Sequence, residues 1–321
     1  MPYLIGTDEA GYGPNLGPLV ISATLWHAPD GVREDDLYTT LARAVSRSWD
    51  PDSAVARVPI ADSKSLYKSS GSLQALECGV LTAWRAIGRQ PDNWREAWAQ
   101  AAPHSRAALD RDPWYADFEL GLPLHHDSAS LKRLADTFLQ ELRDAEVQLV
   151  NVRSVIVSPE QFNGELERRG NKATVLSTLT LELMKAILPA EDGQSVFVSC
   201  DKHGGRQRYA DLLQAAFPEY LVEIHGECRS HSLYRWGPAT RRFECRFLEK
   251  AERLLPVALA SMASKYLREL AMLAFNAFWR QHLPGLRPTA GYPEDARRFR
   301  DEIAACQQRL GIADRVLWRK R

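Results

Sequence analysis

Two short apolar runs that each end on an acid are the feature that most constrains this chain. The first, Tyr3–Thr7, is followed by Asp8 and Glu9 and then by glycines; the second, 195–201, ends on Asp201 and is also followed by glycines. Short apolar runs bounded by glycine are typical of buried strands. Because ligands gather beyond the carboxyl ends of strands in open α/β sheets, the two runs are expected to bring Asp8 and Asp201 together.

The order of the predicted elements indicates an α/β protein. Strands come first and then alternate with helices, which favours a mixed sheet flanked by helices. We expect strands at 3–7, 19–26, 147–157, 195–201, 220–228 and 242–250. We expect helices at 34–49, 72–87, 171–188, 209–217, 256–282 and 291–310, with 58–66 as a loop and 229–238 as a polar connection.

Composition changes over residues 90–127, which combine Trp94, Trp98 and Trp114 with several prolines and weak periodicity. This segment is expected to be an insertion or small subdomain on the scaffold. Its tryptophans could stack on nucleic-acid bases, or they could pack in the core. We therefore predict a catalytic core at 1–255 that carries the insertion, and a C-terminal helical region at 256–321 that packs on this core.

Overall composition excludes several classes of protein. Lys and Arg total 41 and Asp and Glu total 41, so any basic surface for nucleic acid must be local. Five cysteines without a CxxC pair argue against a disulfide framework or a zinc site. No apolar run approaches the roughly 20 residues of a membrane span, and acids appear early at the N-terminus. We expect a soluble, cytoplasmic protein with no membrane partner.

The acids themselves suggest metal chemistry. Neighbouring side chains on a strand point to opposite faces, so Asp8 and Glu9 share a site only if the strand breaks between or just after them, as Gly11 and Gly13 allow. Clustered carboxylates repel one another and are most naturally held around Mg²⁺ or Mn²⁺. Two such ions about 4 Å apart can activate water and stabilise the leaving oxygen of a phosphodiester. Solvated acids in a turn, or for Asp201 a helix N-cap, are the alternatives.

Six separate segments stand out, in the order GTDEAGYGPNLGPLV, ADSKSL, SPEQFN with NKATVLSTLTLELMKAIL, FVSCDKHGGRQRYADLLQAAFP, EKAERLLPVALASMASKYLRE and AGYPEDARRF. As an ordered set, they resemble motifs of the type 2 ribonucleases H (ribonuclease HII). The resemblance spans residues 3 to about 305, except for 90–127 and 229–238. It implies a ribonuclease H-like fold. It also implies hydrolysis, with two Mg²⁺ or Mn²⁺ ions, of RNA in an RNA–DNA hybrid or of ribonucleotides in a DNA duplex.

The resemblance also implies which residues form the site. Asp8, Glu9 and Asp201 match the first three catalytic, metal-holding acids of the family. Glu252 stands where the family has an Asp, and one residue is missing between it and Ser261, so the fourth ligand is open.

The substrate-binding positions depart from the family at one residue. Gly11 and Gly13 match the glycines whose backbone grips the ribose next to an RNA–DNA junction, but Tyr12 replaces the usual Arg between them. Tyr12 could stack on a sugar or base, and the requirement for a junction is open. Tyr292 matches the tyrosine that packs against the deoxyribose beyond the junction.

Two family lysines are present as Lys64 and Lys265, which are expected to supply positive charge to the substrate. Lys265 and Glu269 are four residues apart on one helix face, so they form either a surface salt bridge or a pair that holds a phosphate or orients a carboxylate. His203 follows Asp201 closely and could donate a proton during product release, or it could be an ordinary loop histidine. The basic segment RVLWRKR could hold phosphate or be solvated.

Two other functions remain open from the sequence. A nuclease of the same fold could act on structured or branched DNA, for which Tyr12 and the segment 90–127 are the reasons. A non-catalytic nucleic-acid-binding homologue is the other, because Glu252 replaces an Asp. The sequence leaves the protein partner and the oligomeric state open.

Overall fold

The computed structural model describes residues 1–53, 55–70, 72–189 and 193–320, and these contain both helices and strands. The strands are β1 (Tyr3–Ala10), β2 (Leu19–His27), β3 (Val45–Ser46), β4 (Val58–Pro59), β5 (Gln148–Val157), β6 (Val196–Asp201), β7 (Glu223–Glu227), β8 (His231–Trp236) and β9 (Phe243–Leu248).

The helices are α1 (Leu37–Thr40), α2 (Ser63–Ser70), α3 (Gln74–Ala86), α4 (Trp94–Ala101), α5 (Ala107–Arg111), α6 (Pro113–Ala116), α7 (Ser128–Asp144), α8 (Pro159–Arg169), α9 (Lys172–Ile187), α10 (Ala210–Ala216), α11 (Leu255–His282), α12 (Pro293–Arg309) and α13 (Asp314–Leu317). Short 3₁₀ turns occupy Pro103–Ser105 and Ala251–Arg253. No described helix combines the length and hydrophobicity that crossing a bilayer requires.

The main sheet has seven strands in the order β5-β2-β1-β6-β9-β8-β7. The three central strands, β1, β6 and β9, run parallel, and the outer strands on both sides are antiparallel to their neighbours. The predicted α/β fold with a mixed sheet flanked by helices is therefore confirmed. Since Thr7 pairs with Cys200, the next residues along, Asp8 and Asp201, lie side by side.

Helices cover both faces of this sheet. Leu4 of β1 belongs to a core with α11 and α3, while its neighbour Ile5 belongs to a second core with α9. All four of the residues from Leu4 to Thr7 are buried. A strand buried on both faces is apolar at successive positions, which is the pattern that predicted it.

Gly6 allows α11 to pack directly on the sheet. A Cβ on Gly6 would lie 2.2 Å from the carbonyl carbon of Pro256, in the first turn of α11. The Thr24 hydroxyl donates to the Pro256 carbonyl at 2.8 Å. Further along the same helix, the Ser264 hydroxyl donates to the Asp8 carbonyl at 3.1 Å. The close approach therefore places one face of α11 next to the carboxyl end of β1.

The predicted helix at 34–49 is wrong. Only α1 is helical there, and Val45 pairs in parallel with Val58 to form a small second sheet. The apolar spacing of Leu37, Leu41 and Ala44 is helical and all three are buried, but pairing with β4 ends the helix early. Tertiary contacts have overridden the local pattern.

Two other predictions are also wrong. The expected loop at 58–66 contains β4 and the start of α2, whose first turn is capped where Ser65 N donates to the Asp62 carboxylate at 2.6 Å. The polar connection at 229–238 contains β8, in which Ser232, Tyr234 and Trp236 are buried in alternation. Polar residues such as Ser232 masked this period-two pattern.

The buried apolar side chains of segment 90–127, its three tryptophans included, belong to the main core. Trp94, Trp98 and Trp114 have relative exposures of 0%, 1% and 2%, and the Trp114 ring is 5.2 Å from that of Phe275 in α11. These tryptophans pack in the interior, which favours the packing alternative over base stacking. The boundary expected at 255/256 stays a prediction, and α11 begins at Leu255.

Candidate active site

Three carboxylates from separate parts of the chain meet at one end of the central strands. One oxygen from each of Asp8, Asp201 and Glu252 lies within 4.8 Å of the others. Asp8 is near the end of β1, Asp201 ends β6, and Glu252 is in the 3₁₀ turn that follows β9. Because β1, β6 and β9 are neighbouring parallel strands, the three acids emerge at the same edge.

Asp201 also positions the turn that carries Glu252. Its Oδ1 accepts a hydrogen bond from the backbone N of Ala251 at 3.0 Å. Lys250, just before the turn, has φ of 56° in the left-handed region, which re-aims the chain after β9. The alternative role for Asp201 as N-cap of the following helix is wrong, since α10 begins at Ala210 after Tyr209.

Glu9 lines the same pocket, but it is outside the group of three carboxylates within 4.8 Å. The strand continues through Ala10, and the chain turns at Gly11, where φ is 89°. The expected break therefore comes two residues after Glu9. A Cβ on Gly11 would lie 2.5 Å from Nε of Arg268, so this glycine is required for both conformation and space.

Burial and mutual repulsion disfavour the charged form of these acids. Burial, followed by the charges of Glu9, Glu252 and Asp201, raises the pKa of Asp8 well above its ordinary value. Burial, followed by Asp201 and Glu252, raises the pKa of Glu9 to about 8. Burial also raises the pKa of Asp201 to about 6. Ionising all of these acids together is therefore unfavourable in the pocket alone, and a bound cation would stabilise their charged form.

Lys64 and buried serines support the cluster. Burial acts to lower the pKa of Lys64, but the neighbouring carboxylates, above all Glu252 and Asp8, outweigh it and the pKa is raised. The Asp8 side chain is hydrogen-bonded to Ser261. The Ser261 hydroxyl is in turn 2.9 Å from that of Ser63, in α2. These contacts fix the Asp8 carboxylate against α2 and α11.

Lys265 is one turn beyond Ser261 on α11, and both line the pocket. Its Nζ is 2.6 Å from Oε1 of Glu269 and lies 4.8 Å from the centre of the Tyr67 ring. Glu269 does not line the pocket. The salt-bridge alternative and the substrate-contacting alternative for Lys265 are thus compatible, since Glu269 holds the ammonium group at the pocket wall.

The loop after β1, where two of the three residues 11–13 are glycines, also lines the pocket. Gly11, Tyr12 and Gly13 line the pocket, as does Tyr292, which is 53% exposed. A Cβ on Gly204 would lie 2.9 Å from the Tyr12 hydroxyl, so the glycine turn after β6 accommodates this tyrosine.

His203 is not among the residues that line the pocket, and it is buried. Its Nδ1 is 2.9 Å from the Ser177 hydroxyl of α9, and its ring packs against Tyr209 and Phe247. Burial lowers its pKa to about 3. Of the two alternatives for His203, these buried contacts favour the ordinary loop histidine over the proton donor.

The full lining includes residues that were not predicted as site residues. Ser63 and Arg268 both line the pocket. Arg268 is only 1% exposed and donates to the Ala290 carbonyl at 3.0 Å, which ties α11 to the segment before Tyr292. Both residues fall within the motif segments, but nothing in the local sequence distinguishes them from structural residues.

Comparisons with known proteins give matches only among solved structures. No protein-family model and no curated protein matches the chain. RNase HII from Archaeoglobus fulgidus, solved in complex with PCNA, is 15% identical; the match covers 99% of this chain and 94% of that one, with a TM-score of 0.43. Ribonuclease H2 from Pyrococcus horikoshii OT3 is 15% identical, with 98% and 92% coverage and a TM-score of 0.41. Bst-RNase HIII in complex with Mn²⁺ is 16% identical, with 99% and 66% coverage and a TM-score of 0.38.

Proposed function

We propose that this chain is a metal-dependent endoribonuclease of the type 2 ribonuclease H kind. Its substrate is RNA paired with DNA, or ribonucleotides embedded in a DNA duplex, and the products carry 5′-phosphate and 3′-hydroxyl ends. One observation carries the proposal: Asp8, Asp201 and Glu252 bring carboxylate oxygens within 4.8 Å of one another, at positions that correspond to the family motifs.

The donor set suits hard divalent cations. All the ligand atoms are carboxylate oxygens, which Mg²⁺ and Mn²⁺ prefer, and the charged form of the buried Asp8 is disfavoured without a neighbouring cation. Asp8, Glu9, Asp201 and Glu252 would hold two such ions. When bound, they supply activation of the attacking water and stabilisation of the leaving 3′-oxygen.

Glu252 in place of an Asp is compatible with this role. Its side chain is one methylene longer, and the hydrogen bond from Ala251 to Asp201 sets the position of its turn. The alternative of a non-catalytic binding protein rested on this replacement. Because an oxygen of Glu252 lies in the three-acid group, that reason is weakened.

The remaining residues would bind the substrate strand. Lys64 and Lys265 line the pocket and can contact the phosphate. The backbone of Gly11, Tyr12 and Gly13 would approach the ribose and its 2′-hydroxyl, the group that distinguishes RNA from DNA. Tyr292, which lines the pocket and is exposed, would pack against a sugar.

The experiment compares cleavage of three duplexes in Mg²⁺ and then in Mn²⁺: an RNA–DNA hybrid, a duplex with one ribonucleotide, and an all-DNA control. We expect cleavage of the first two and none of the third. Asp8→Asn should abolish cleavage and retain most of the binding, whereas Glu219→Gln, an exposed acid near α10, should cut like the parent. Undiminished cleavage by Asp8→Asn would show that the metal assignment is wrong.

A second candidate is a nuclease for branched or structured DNA, and Tyr12 favours it. The Tyr12 side chain packs against Gly204. Unlike the arginine usual in the family, it has no positive charge with which to bind a phosphate at a junction. An all-DNA four-way junction in the same assay separates the two functions. Cleavage of that junction, with the single-ribonucleotide duplex left intact, would favour this second function.

A further inference from the structure

A groove with a volume of about 500 Å³ adjoins the candidate active site. We call it the basic groove, and we call the pocket lined by Asp8, Asp201 and Glu252 the acidic pocket. Lys64 and Glu252 line both, so the two are direct neighbours. Six charged residues line the basic groove: the cations Arg47, Lys64, Lys250 and Arg253, and the acids Asp62 and Glu252.

The four cations of the basic groove are accessible to an anion. All four are exposed, and within residues 1–53, 55–70, 72–189 and 193–320 none of them forms a salt bridge. Arg229, in the turn between β7 and β8, differs, because its Nε lies 3.6 Å from Oε1 of Glu249. Several unpaired cations along one depression are the charge pattern that binds a polyanion.

The two acids of the basic groove have partners of their own. The Asp62 carboxylate accepts a hydrogen bond from Ser65 N at 2.6 Å, in the first turn of α2. Glu252 contributes an oxygen to the three-acid group in the acidic pocket. With four cations against two acids, the groove has a positive balance of charge beside the acidic pocket.

The small second sheet positions Arg47 at the groove. Because β3 and β4 pair in parallel, Arg47, which follows β3, and Ala61, which follows β4, emerge at the same edge, and both line the groove. The guanidinium carbon of Arg47 lies 3.8 Å from the centre of the Tyr38 ring, whose hydroxyl donates to the Ile60 carbonyl at 2.9 Å. Stacking on an anchored ring orients the guanidinium and leaves its N–H edges for an acceptor.

The turn that carries Glu252 also supplies two of the cations. Lys250 comes just before it with φ of 56°, a left-handed conformation that is uncommon for a residue with a side chain and clusters at functional sites. Lys250, Glu252 and Arg253 all line the groove. Because Ala251 N donates to Asp201, one anchored turn sets the position of these cations relative to the acids.

We propose that the basic groove binds backbone phosphates of the nucleic-acid strand whose reacting phosphate occupies the acidic pocket. Phosphates repeat along a strand, so a strand held at the acids presents further phosphates to the cations beside them. The planar fork of an arginine matches two oxygens of a phosphate. This inference rests on the proposed function, and it identifies the Glu252 side of the site as the side on which the strand continues.

The first test measures binding of a duplex with one ribonucleotide in the Asp8→Asn background, where cleavage is removed. Fluorescence anisotropy is followed over a range of salt concentrations. Arg47→Gln, Lys250→Gln and Arg253→Gln should each weaken binding about fivefold at low salt and reduce the salt slope by about one.

Arg143→Gln is the matched control for this test. Arg143 is an exposed arginine of α7 that lines neither the basic groove nor the acidic pocket, so its replacement should change neither the affinity nor the salt slope. All the replaced side chains are exposed, and each variant should keep the thermal midpoint of its background within about 2 °C.

The second test identifies the strand. One phosphate at a time is replaced by an uncharged methylphosphonate, first in the strand that contains the ribonucleotide and then in its complement. One or two positions near the ribonucleotide, in its own strand, should weaken binding by Asp8→Asn about fivefold and have no further effect once Arg253→Gln is added. Such non-additivity indicates that the arginine and that phosphate are in contact.

The outcomes separate this inference from the proposed function. Unchanged affinity and salt slope in all three groove variants would overturn the inference, as would effects that add at every phosphate or non-additivity confined to the complement. Non-additivity within the ribonucleotide strand would support it. Both tests measure binding alone, so a parent protein that cuts no duplex but shows this coupling would refute the proposed ribonuclease activity and leave the groove assignment standing.

Discussion

Gly11 and Gly13 are two residues apart in one loop, yet only Gly11 is required by the fold. Gly11 has φ of 89°, and a Cβ there would lie 2.5 Å from Arg268 Nε and 2.6 Å from the Pro18 carbonyl oxygen. Gly13 has no atom within 4 Å of the position its Cβ would take, and its φ is outside the left-handed region. At Gly13, therefore, the missing side chain leaves room for something outside the chain.

This contrast predicts different effects of alanine at the two positions. Gly13→Ala should leave the thermal midpoint unchanged within about 1 °C and raise KM for the hybrid about tenfold, because the added methyl obstructs the substrate backbone. Gly11→Ala, the matched control, should lower the free energy of unfolding by about 2 kcal/mol or more. Differential scanning fluorimetry and steady-state cleavage measure the two effects. An unchanged KM for Gly13→Ala would contradict the assigned role.

Asp112 provides a prediction about pH. The residue is 1% exposed, neither carboxylate oxygen has a hydrogen-bond partner within the described residues, and burial raises its pKa to about 7. The unfolded chain has a pKa near 3.9 for Asp, so the folded state binds the proton more tightly. The stability that protonated Asp112 contributes is full below about pH 4 and is lost as the pH rises through about 7.

Asp112→Asn should therefore stabilise the protein at high pH. We expect a gain in the free energy of unfolding on the order of 3 kcal/mol at pH 8 and less than half of that at pH 5. Urea unfolding at the two pH values measures the difference. An equal effect at both values would show that Asp112 ionises normally in the folded protein.

At the scale of elements, Glu77 of α3 joins three parts of the fold. Its carboxylate accepts hydrogen bonds from Leu124 N and His125 N, both at 2.7 Å, and from the Tyr266 hydroxyl of α11 at 3.0 Å. Glu77 is fully buried. This side chain ties the end of segment 90–127 to the helices around it.

Glu77→Gln should lower the free energy of unfolding by about 2–3 kcal/mol. The glutamine side chain has one acceptor oxygen instead of two, and its NH₂ group would face N–H or O–H groups that also need an acceptor. Urea unfolding of this variant, with exposed Glu219→Gln as the control, measures the loss. A change as small as that of the control would mean that the segment is held by aromatic packing alone.

Elements were predictable where one local signal decided the structure. The β1 and β6 strands, and the helices α9 and α11, have long or uniform apolar patterns that lie in the core, and all four were predicted. Residues 34–49 show helical spacing but are divided by the pairing of Val45 with Val58, a contact distant in sequence. Such long-range pairing has no local signature.

At the scale of the whole molecule, the location of the acid cluster could be predicted from the expected topology of the sheet. Asp8 and Asp201 were predicted to meet because their strands end on acids, and the parallel register of β1 and β6 confirms it. The sequence did not predict that Arg319 is buried without a hydrogen-bond partner, because such a guanidinium is recognisable only once burial is known. Asn163 likewise has no signal in α8, although it holds the segment that carries Arg319.

The clustered acids should lower the free energy of unfolding when no ion is bound and raise it when an ion binds. Asp8 contributes a buried carboxylate that Glu9, Glu252 and Asp201 all disfavour, so Asp8→Asn in buffer with EDTA should raise the free energy of unfolding by about 1 kcal/mol. With excess Mn²⁺ the order should reverse: the parent gains about 2–3 kcal/mol by binding the ion at about 100 times its Kd, and the variant gains much less. Thermal unfolding of the parent, Asp8→Asn and the control Glu219→Gln, with and without Mn²⁺, measures both effects. If the parent were the more stable protein in EDTA and gained nothing from Mn²⁺, these carboxylates would not be an ion site, because any ion that binds only the folded state stabilises it.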